Sequence, residues 1–173
     1  MKVAVVMGSD SDLPIMKETV ETLKYFDVDS FVCICSAHRT PEKIKDFLKD
    51  VEENKCEVIV AGAGMAAHLP GVIASYTHLP VIGVPLSSSP LNGLDSLYAI
   101  VQMPRGVPVA TVAIGKSGAV NAGILAVEIL ALKYEDIRNK LKKYKQELAQ
   151  SIIKKDNELK KKGIEKYLDE KAK

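Results

Sequence analysis

A chain of 173 residues that is 47% hydrophobic can bury one substantial core, and one domain is expected. Its net charge of only +2, with lysines crowded toward the C-terminal region, argues against a basic groove for nucleic acid. No run of about 18 apolar residues is present to span a bilayer, and no charged segment, apolar stretch and small-residue cleavage site follow one another, so we expect a cytoplasmic protein with neither a nucleic-acid nor a membrane partner.

Residues 2–7, Lys-Val-Ala-Val-Val-Met, form an apolar run ending at Gly8, which predicts a central strand covered on both faces. Gly8, Ser9, Asp10, Ser11 and Asp12 make a polar turn. Leu13, Met16, Val20, Leu23 and Tyr25 then recur at helical spacing, with Ser11 or Asp12 placed to cap the first turn. Residues 30–35 repeat the plan as a second strand, and Thr40 with Pro41 reads as the N-cap and first position of a helix through Ile44, Phe47, Leu48 and Val51. A third strand is predicted at 58–61, followed by the small-residue segment 62–71 and a short helix ending near Thr77. A strand at 81–84, a serine-rich loop, a helix at about 94–102, a strand at 109–114 and a small-residue helix at 117–132 complete the body.

From Tyr134 the pattern changes. Ile137, Leu141, Tyr144, Leu148 and Ile152 recur at steps of three or four, predicting one long helix that stops near Gly163 before a short helical piece at 164–170. About 29 residues would run roughly 44 Å, longer than a domain of this size needs, so part of the helix is expected to pack on another subunit. A solvated, lysine-rich tail is the alternative. The domain reading is therefore a body at 1–133 with a helical extension at 134–173. The three cysteines, Cys33, Cys35 and Cys56, form no even disulfide framework and no zinc pattern, and they read as small buried hydrophobes kept reduced.

Strands alternating with helices at this spacing, several of them apolar throughout, predict an α/β fold: a three-layer αβα sandwich with a flavodoxin-like or Rossmann-like parallel sheet. Such sheets bind ligands outside the carboxyl ends of their strands. The segments there are 8–12, 36–40, 62–68, 86–92 and 115–117, and they collect most of the Gly, Ser, His and Arg outside the helices.

Residues 8–12 offer backbone N–H groups, a helix start and two hydroxyls, which suits a phosphate, while Asp12 can accept from ribose hydroxyls. The spacing matches neither the dinucleotide fingerprint nor the Walker A loop, so NAD chemistry and ATP hydrolysis lose support. Simple helix capping is the alternative. Ser36, His38, Arg39 and Thr40 add a guanidinium suited to bidentate phosphate contact and an imidazole that titrates near neutrality; a surface ion pair and a structural histidine are the competing readings. In 62–71 there is almost no bulk before His68, which lets a flat heterocycle lie against backbone groups, or lets helices pack tightly. His78 has no partner cluster in sequence and reads as structural.

Six linked motifs then become recognisable: 8–12 (GSDSD), 36–41 (SAHRTP), 61–64 (AGAG) with 67–71 (AHLPG), 93–97 (GLDSL), 102–110 (QMPRGVPVA) and 113–116 (AIGK) with Asn121 and Ala122. Together, across about 2–132, they resemble the N5-carboxyaminoimidazole ribonucleotide mutase family of purine biosynthesis. The tail resembles the extra C-terminal helix of its shorter bacterial members. The resemblance implies transfer of a carboxylate from the N5 amine of a ribonucleotide to ring carbon C4, without metal, ATP or organic cofactor. It implies phosphate contacts from Ser9, Ser11, Ser36 and Arg39, a ribose contact from Asp12, and Gly64, Ala67 and Leu69 around the base. His38 is the implied general acid and base, and His68 with the 86–92 loop the implied closure of a dry pocket. It further implies a homo-octamer with sites between subunits. Met65 departs from the family pattern, which usually carries a third glycine there. Related carboxylases that add free carbon dioxide to the same ribonucleotide diverge around 67–71, so the AHLPG segment favours the mutase. Direct carboxylation and a non-catalytic module binding a phosphoribosyl ligand remain the alternatives.

Overall fold

In the computed structural model, which describes residues 1–88 and 90–171, five parallel strands form one sheet in the order β2-β1-β3-β4-β5. They are β1 (Lys2–Met7), β2 (Asp29–Ile34), β3 (Val58–Gly64), β4 (Val81–Leu86) and β5 (Ala110–Thr111). The register brings the strand ends to one rim. Met7 lies beside Ile34 and Gly62, and β3 runs on so that Gly64 lies beside Leu86. The sequence expectation of a flavodoxin-like three-layer sandwich is met, with β1 interior and β3 at the centre.

Alternation along the strands divides the core in two. Val3, Val5 and Met7 face α1 (Leu13–Tyr25), α5 (Gly115–Leu130) and the start of α6 (Glu135–Lys162), burying Met16, Leu23, Phe26, Ala122, Ala126 and Ile137 with them. Ala4 and Val6 face the other layer, α2 (Lys43–Glu53), α3 (Leu69–Tyr76) and α4 (Leu94–Val101), with Ile44, Phe47, Ile73 and Ile100. Cys35 and Cys56 are buried in this second layer and Cys33 is half-buried; all three are free thiols, and burial pushes each above its usual value.

Several boundaries move for local reasons. Helix α2 begins at Lys43, not at Pro41, because Lys43, Ile44 and Lys45 N–H groups bond three residues back to Thr40, Pro41 and Glu42, making a tight entry turn. The Thr40 hydroxyl is spent on Ser36 instead, accepting from its N–H at 3.0 Å. Strand β5 is only two residues long, since the chain leaves the sheet to enter α5 at Gly115, whose φ is +72°. The Ala113 carbonyl there lies so close to α5 that a Cβ on Gly118 would fall 1.6 Å from its oxygen.

Helix α6 has 28 residues and stops at Gly163, whose φ is +76°, close to the span read from the sequence. Helix α7 (Ile164–Lys171) follows. Ile137 and Leu141 are buried, and Tyr144 meets Phe26 edge-on at 5.3 Å; further along, Leu148, Ile152 and Ile153 are exposed. Positions 172 and 173 of the expected extension lie outside the described residues. Among those described, no helix is long and apolar enough to cross a membrane.

Candidate active site

Strand β2 lies on one side of β1 and β3 on the other, and the chain leaving β1 turns to α1 on one face of the sheet while the chain leaving β3 turns to α3 on the other, which opens a crevice at the carboxyl rim. A cleft of about 510 Å³ occupies it. The β1 loop contributes Gly8, Ser9, Ser11 and Asp12; the β2 loop contributes Ser36, Ala37, His38 and Arg39; the end of β3 and the start of α3 contribute Ala63, Gly64, Met65, Ala66, His68 and Leu69. Ser88 reaches in from the β4 loop.

The β1 loop turns on itself. Ser9 caps a single 3-10 turn (Asp10–Asp12): its Oγ accepts from the Ser11 N–H at 3.4 Å, and Asp12 Oδ2 accepts from the Ser9 N–H at 3.1 Å. Asp12 therefore does not cap α1 with its side chain, contrary to the sequence reading, because its carboxylate points back along the loop. Burial pushes that carboxyl above its usual value, against the pull of the Ser9 bond, the Arg39 charge and the Gly8 bond.

The β2 loop is fixed by its own hydroxyls. Ser36 Oγ accepts from the Arg39 N–H at 3.2 Å and from Arg39 Nε at 3.4 Å. Arg39 Nη2 donates to the Gly8 carbonyl at 2.7 Å, so the guanidinium ties the second loop to the first and retains donors for a ligand. Serine hydroxyls, loop N–H groups and a guanidinium on one wall are the chemistry of a phosphate site.

Two imidazoles, one from the β2 loop and one from the start of α3, meet in the same cleft. His38 Nε2 and His68 Nδ1 are 2.8 Å apart, with the rings edge to face at 4.9 Å. One nitrogen donates and the other accepts, so the pair holds a single proton between two bases that both line the cleft. His68 is also the N-cap residue of α3 but makes no side-chain cap bond. Its ring belongs to the cleft, not to the helix.

Gly64 lets the walls close: a Cβ there would fall 1.7 Å from Ser88 Oγ. Ser88 was visible in sequence only as one hydroxyl of a serine-rich loop, and its approach to β3 follows from the β3–β4 register. Ser89 of the expected 86–92 closing loop lies outside the described residues. Of the residues singled out in sequence, Ser9, Ser11, Asp12, Ser36, His38, Arg39, Gly64, His68 and Leu69 all line the cleft. Ala67 does not line it and is 1% exposed within the second core. His78 is exposed and stands apart. Gly8, Ala37, Ala63, Met65 and Ala66 complete the lining with Ser88, and the first five lie within the rim segments 8–12, 36–40 and 62–68 read from the sequence.

The fold and the cleft define a flavodoxin-like α/β protein whose polar and titratable side chains converge on the switch point of the sheet. The chain belongs to the AIR carboxylase family, which residues 2–151 match. It is 55% identical over 170 residues to the N5-carboxyaminoimidazole ribonucleotide mutase of Thermotoga maritima, covering 98% of each chain. It is 54% identical to the protein of the same name from Pyrococcus abyssi, covering 97% of this chain and 95% of that one. A larger protein of Vigna aconitifolia, the chloroplastic phosphoribosylaminoimidazole carboxylase, is 49% identical over 94% of this chain but only 29% of its own length. A crystal structure of Treponema denticola PurE superposes with a TM-score of 0.84 at 31% identity, covering 92% of this chain and 98% of that one.

Proposed function

We propose that this chain moves the carboxylate of N5-carboxyaminoimidazole ribonucleotide from N5 to ring carbon C4, a step of purine biosynthesis. In the first half the N5–carboxylate bond breaks, its electron pair stays on nitrogen, and N5 takes up a proton, leaving the aminoimidazole ribonucleotide and carbon dioxide. In the second half C4 attacks the carbon dioxide, and the C4 proton leaves to restore the aromatic ring. One proton is given and one is taken, so a single acid–base group serves both halves.

The observation that carries this reading is the 2.8 Å contact between His38 and His68 in a cleft that Ser9, Ser11, Ser36 and Arg39 also line. In the proposal His38 gives and takes the proton, and His68 keeps it within the cleft between the two halves. The serines and Arg39 hold the phosphate, Asp12 the ribose, and Gly64 and Leu69 the base, with Ala67 supporting their backbone from within the second core. The similarity to mutases over nearly the whole chain favours the same assignment. A homo-octamer in the cytoplasm is part of the proposal; the long α6 with exposed apolar residues supports self-association.

A second reading has support from the carboxylases at 48–49% identity: direct addition of carbon dioxide to the aminoimidazole ribonucleotide. Purified protein is given either the N5-carboxy compound or the decarboxylated ribonucleotide with bicarbonate. Rapid turnover of the first supports the mutase. Turnover of the second alone favours the carboxylase, and binding of both without turnover indicates a non-catalytic module. In the same assay His38→Asn is expected to keep nucleotide affinity while kcat falls by about 10²–10⁴-fold; a near-normal rate would remove His38 from the mechanism.

A further inference from the structure

Among the described residues that line the cleft, Ser88 alone comes from beyond α3. Gly64 lies beside Leu86 in the β3–β4 register, and two residues further on the serine side chain comes up against that glycine: a Cβ on Gly64 would fall 1.7 Å from Ser88 Oγ and 3.1 Å from Ser88 Cβ. The glycine makes room for the hydroxyl. Ser88 is exposed, and among the described residues its Oγ has no hydrogen-bond partner, so it is free to donate to a ligand. Ser9 and Ser36 differ in both respects. Their hydroxyls already bond within their own loops, Ser9 with Asp10 and the Ser11 N–H, Ser36 with Arg39. Strand β4 lies beyond β3 from β1, two strand spacings or roughly 10 Å away, which sets Ser88 apart from the loops of β1 and β2.

A ribonucleotide whose base bears a carboxylate carries two anionic groups. In the mutase reading Ser9, Ser11, Ser36 and Arg39 meet the phosphate, Asp12 the ribose, and His38 with His68 the proton. The carboxylate is left without a side-chain partner, and Ser88 without a task. Its hydroxyl stands against Gly64, the residue placed at the base to which that carboxylate is attached.

We infer that the Ser88 hydroxyl donates a hydrogen bond to the migrating carboxylate, on N5 in the substrate and on C4 in the product. This rests on the mutase reading. N5 is the amine on the ring carbon next to C4, so one donor beside that edge of the ring reaches the carboxylate at either position. A hydroxyl suits the task. Its bond to an ionised acceptor is strong, whereas a cation in the same place would hold the carboxylate more tightly in the ground state and oppose its conversion to neutral carbon dioxide. Ser88 is a substrate-binding residue and moves no proton. Because the bond is made to substrate and product alike, its loss is read in affinity and KM, with kcat little changed.

The test compares two ribonucleotides, the 4-carboxy compound and its decarboxylated counterpart, by calorimetric titration of the full-length chain. His38→Asn is the background, so that nothing turns over during the measurement, and Ser88→Ala is added to it, with thermal melting to check the fold. Ser88→Ala is expected to weaken binding of the 4-carboxy compound by about 10–100-fold and to leave the decarboxylated one within about twofold, since only the first offers a charged acceptor. With His38 in place, Ser88→Ala should raise the KM for the N5-carboxy compound by a similar factor. Undiminished affinity for the 4-carboxy compound overturns the assignment. Equal weakening of both ribonucleotides overturns it too, because Ser88 would then be a contact of the base or a support of its loop. If the parent makes no product from the N5-carboxy compound, the mutase reading fails, while the selective loss still decides whether Ser88 meets a carboxylate. If the His38→Asn background binds neither ribonucleotide, both fail together.

Discussion

Asp12 is only 7% exposed, and burial holds its carboxyl above the usual 3.8 although the Ser9 N–H, Arg39 and the Gly8 N–H all favour the charged form. A raised folded value means that the fold prefers the neutral acid. That contribution to stability is complete below pH 3.8 and is lost as pH rises through the higher folded value, so at neutral pH the ionised Asp12 is a net cost to the fold. Asparagine keeps an oxygen to accept from Ser9 and carries no charge. Denaturant titrations of the parent and Asp12→Asn between about pH 4 and pH 8 should show the variant gaining stability relative to the parent as pH rises, then levelling once Asp12 is fully ionised. A pH-independent difference, or one of opposite slope, would show that the Ser9 and Arg39 contacts outweigh burial. Such a residue is kept at a cost where a ligand needs the charge. At this scale the sequence revealed residue types and missed their meetings: Ser36, His38 and Arg39 announce chemistry within four positions. His68 is thirty residues from His38 in the chain, and only the placement of β1 between β2 and β3 brings the rings together.

At the scale of elements, α1 matters because the cleft loop leads directly into it, and α5 holds it in place. The contact is close. Thr19 Oγ1 donates to the Ala119 carbonyl at 2.7 Å in a buried bond, and a Cβ on Gly123 would fall 2.8 Å from both Cβ and Cγ2 of Thr22 and 3.2 Å from the Thr19 carbonyl oxygen. Gly123→Ala must push two helices apart or rotate a threonine, and it is expected to cost about 1–3 kcal/mol, or roughly 2–4 °C in Tm for each kcal/mol. Asn121→Ala, on the exposed side of the same helix, should fall within about 0.5 kcal/mol of the parent. Equal melting temperatures for the two variants would refute the tight-packing account. The same physics explains why element ends were misread. Gly62 looks like turn punctuation, yet it lies inside β3 because Met16 of α1 packs over it; a Cβ there would be 2.3 Å from the methionine sulfur. Pro85 looks like a strand terminator, yet β5 pairs only with Ile82 and Gly83, so on that side no partner strand asks Pro85 for an N–H. Alternation of helix and strand is local and was legible. The reasons for glycine and proline inside strands come from neighbouring elements and were not.

The whole molecule carries more helix than its core can cover. At 1.5 Å per residue α6 runs about 42 Å, against roughly 20 Å for a six-residue strand. Its first turns are fastened to the body by Ile137, Leu141 and the edge-on ring of Tyr144, by Lys140 to Asp27 at 2.7 Å and by Lys145 to Glu128 at 2.6 Å. The last of these fastenings is Tyr25 Oη donating to Glu147 at 3.1 Å. Beyond it Leu148, Ile152, Ile153, Ile164 and Leu168 stand exposed, as do Val32 and Ile34 on the edge strand β2. Each such side chain is worth about 1.5–3 kcal/mol if fully buried, so an assembly that covers several of them gains enough to offset the cost of association. A chain ending at residue 147 keeps every fastening named here and should remain folded, with a far-ultraviolet spectrum reduced only by the missing helix. In sedimentation velocity it should run as a smaller species than the full chain, for which the proposal expects an octamer. The full chain should also melt at a temperature that rises with protein concentration, while the shortened chain should lose part of that dependence, since only a folded state stabilised by association responds to concentration. Identical sedimentation of the two chains would mean that the outer turns of α6 and α7 contribute nothing to assembly.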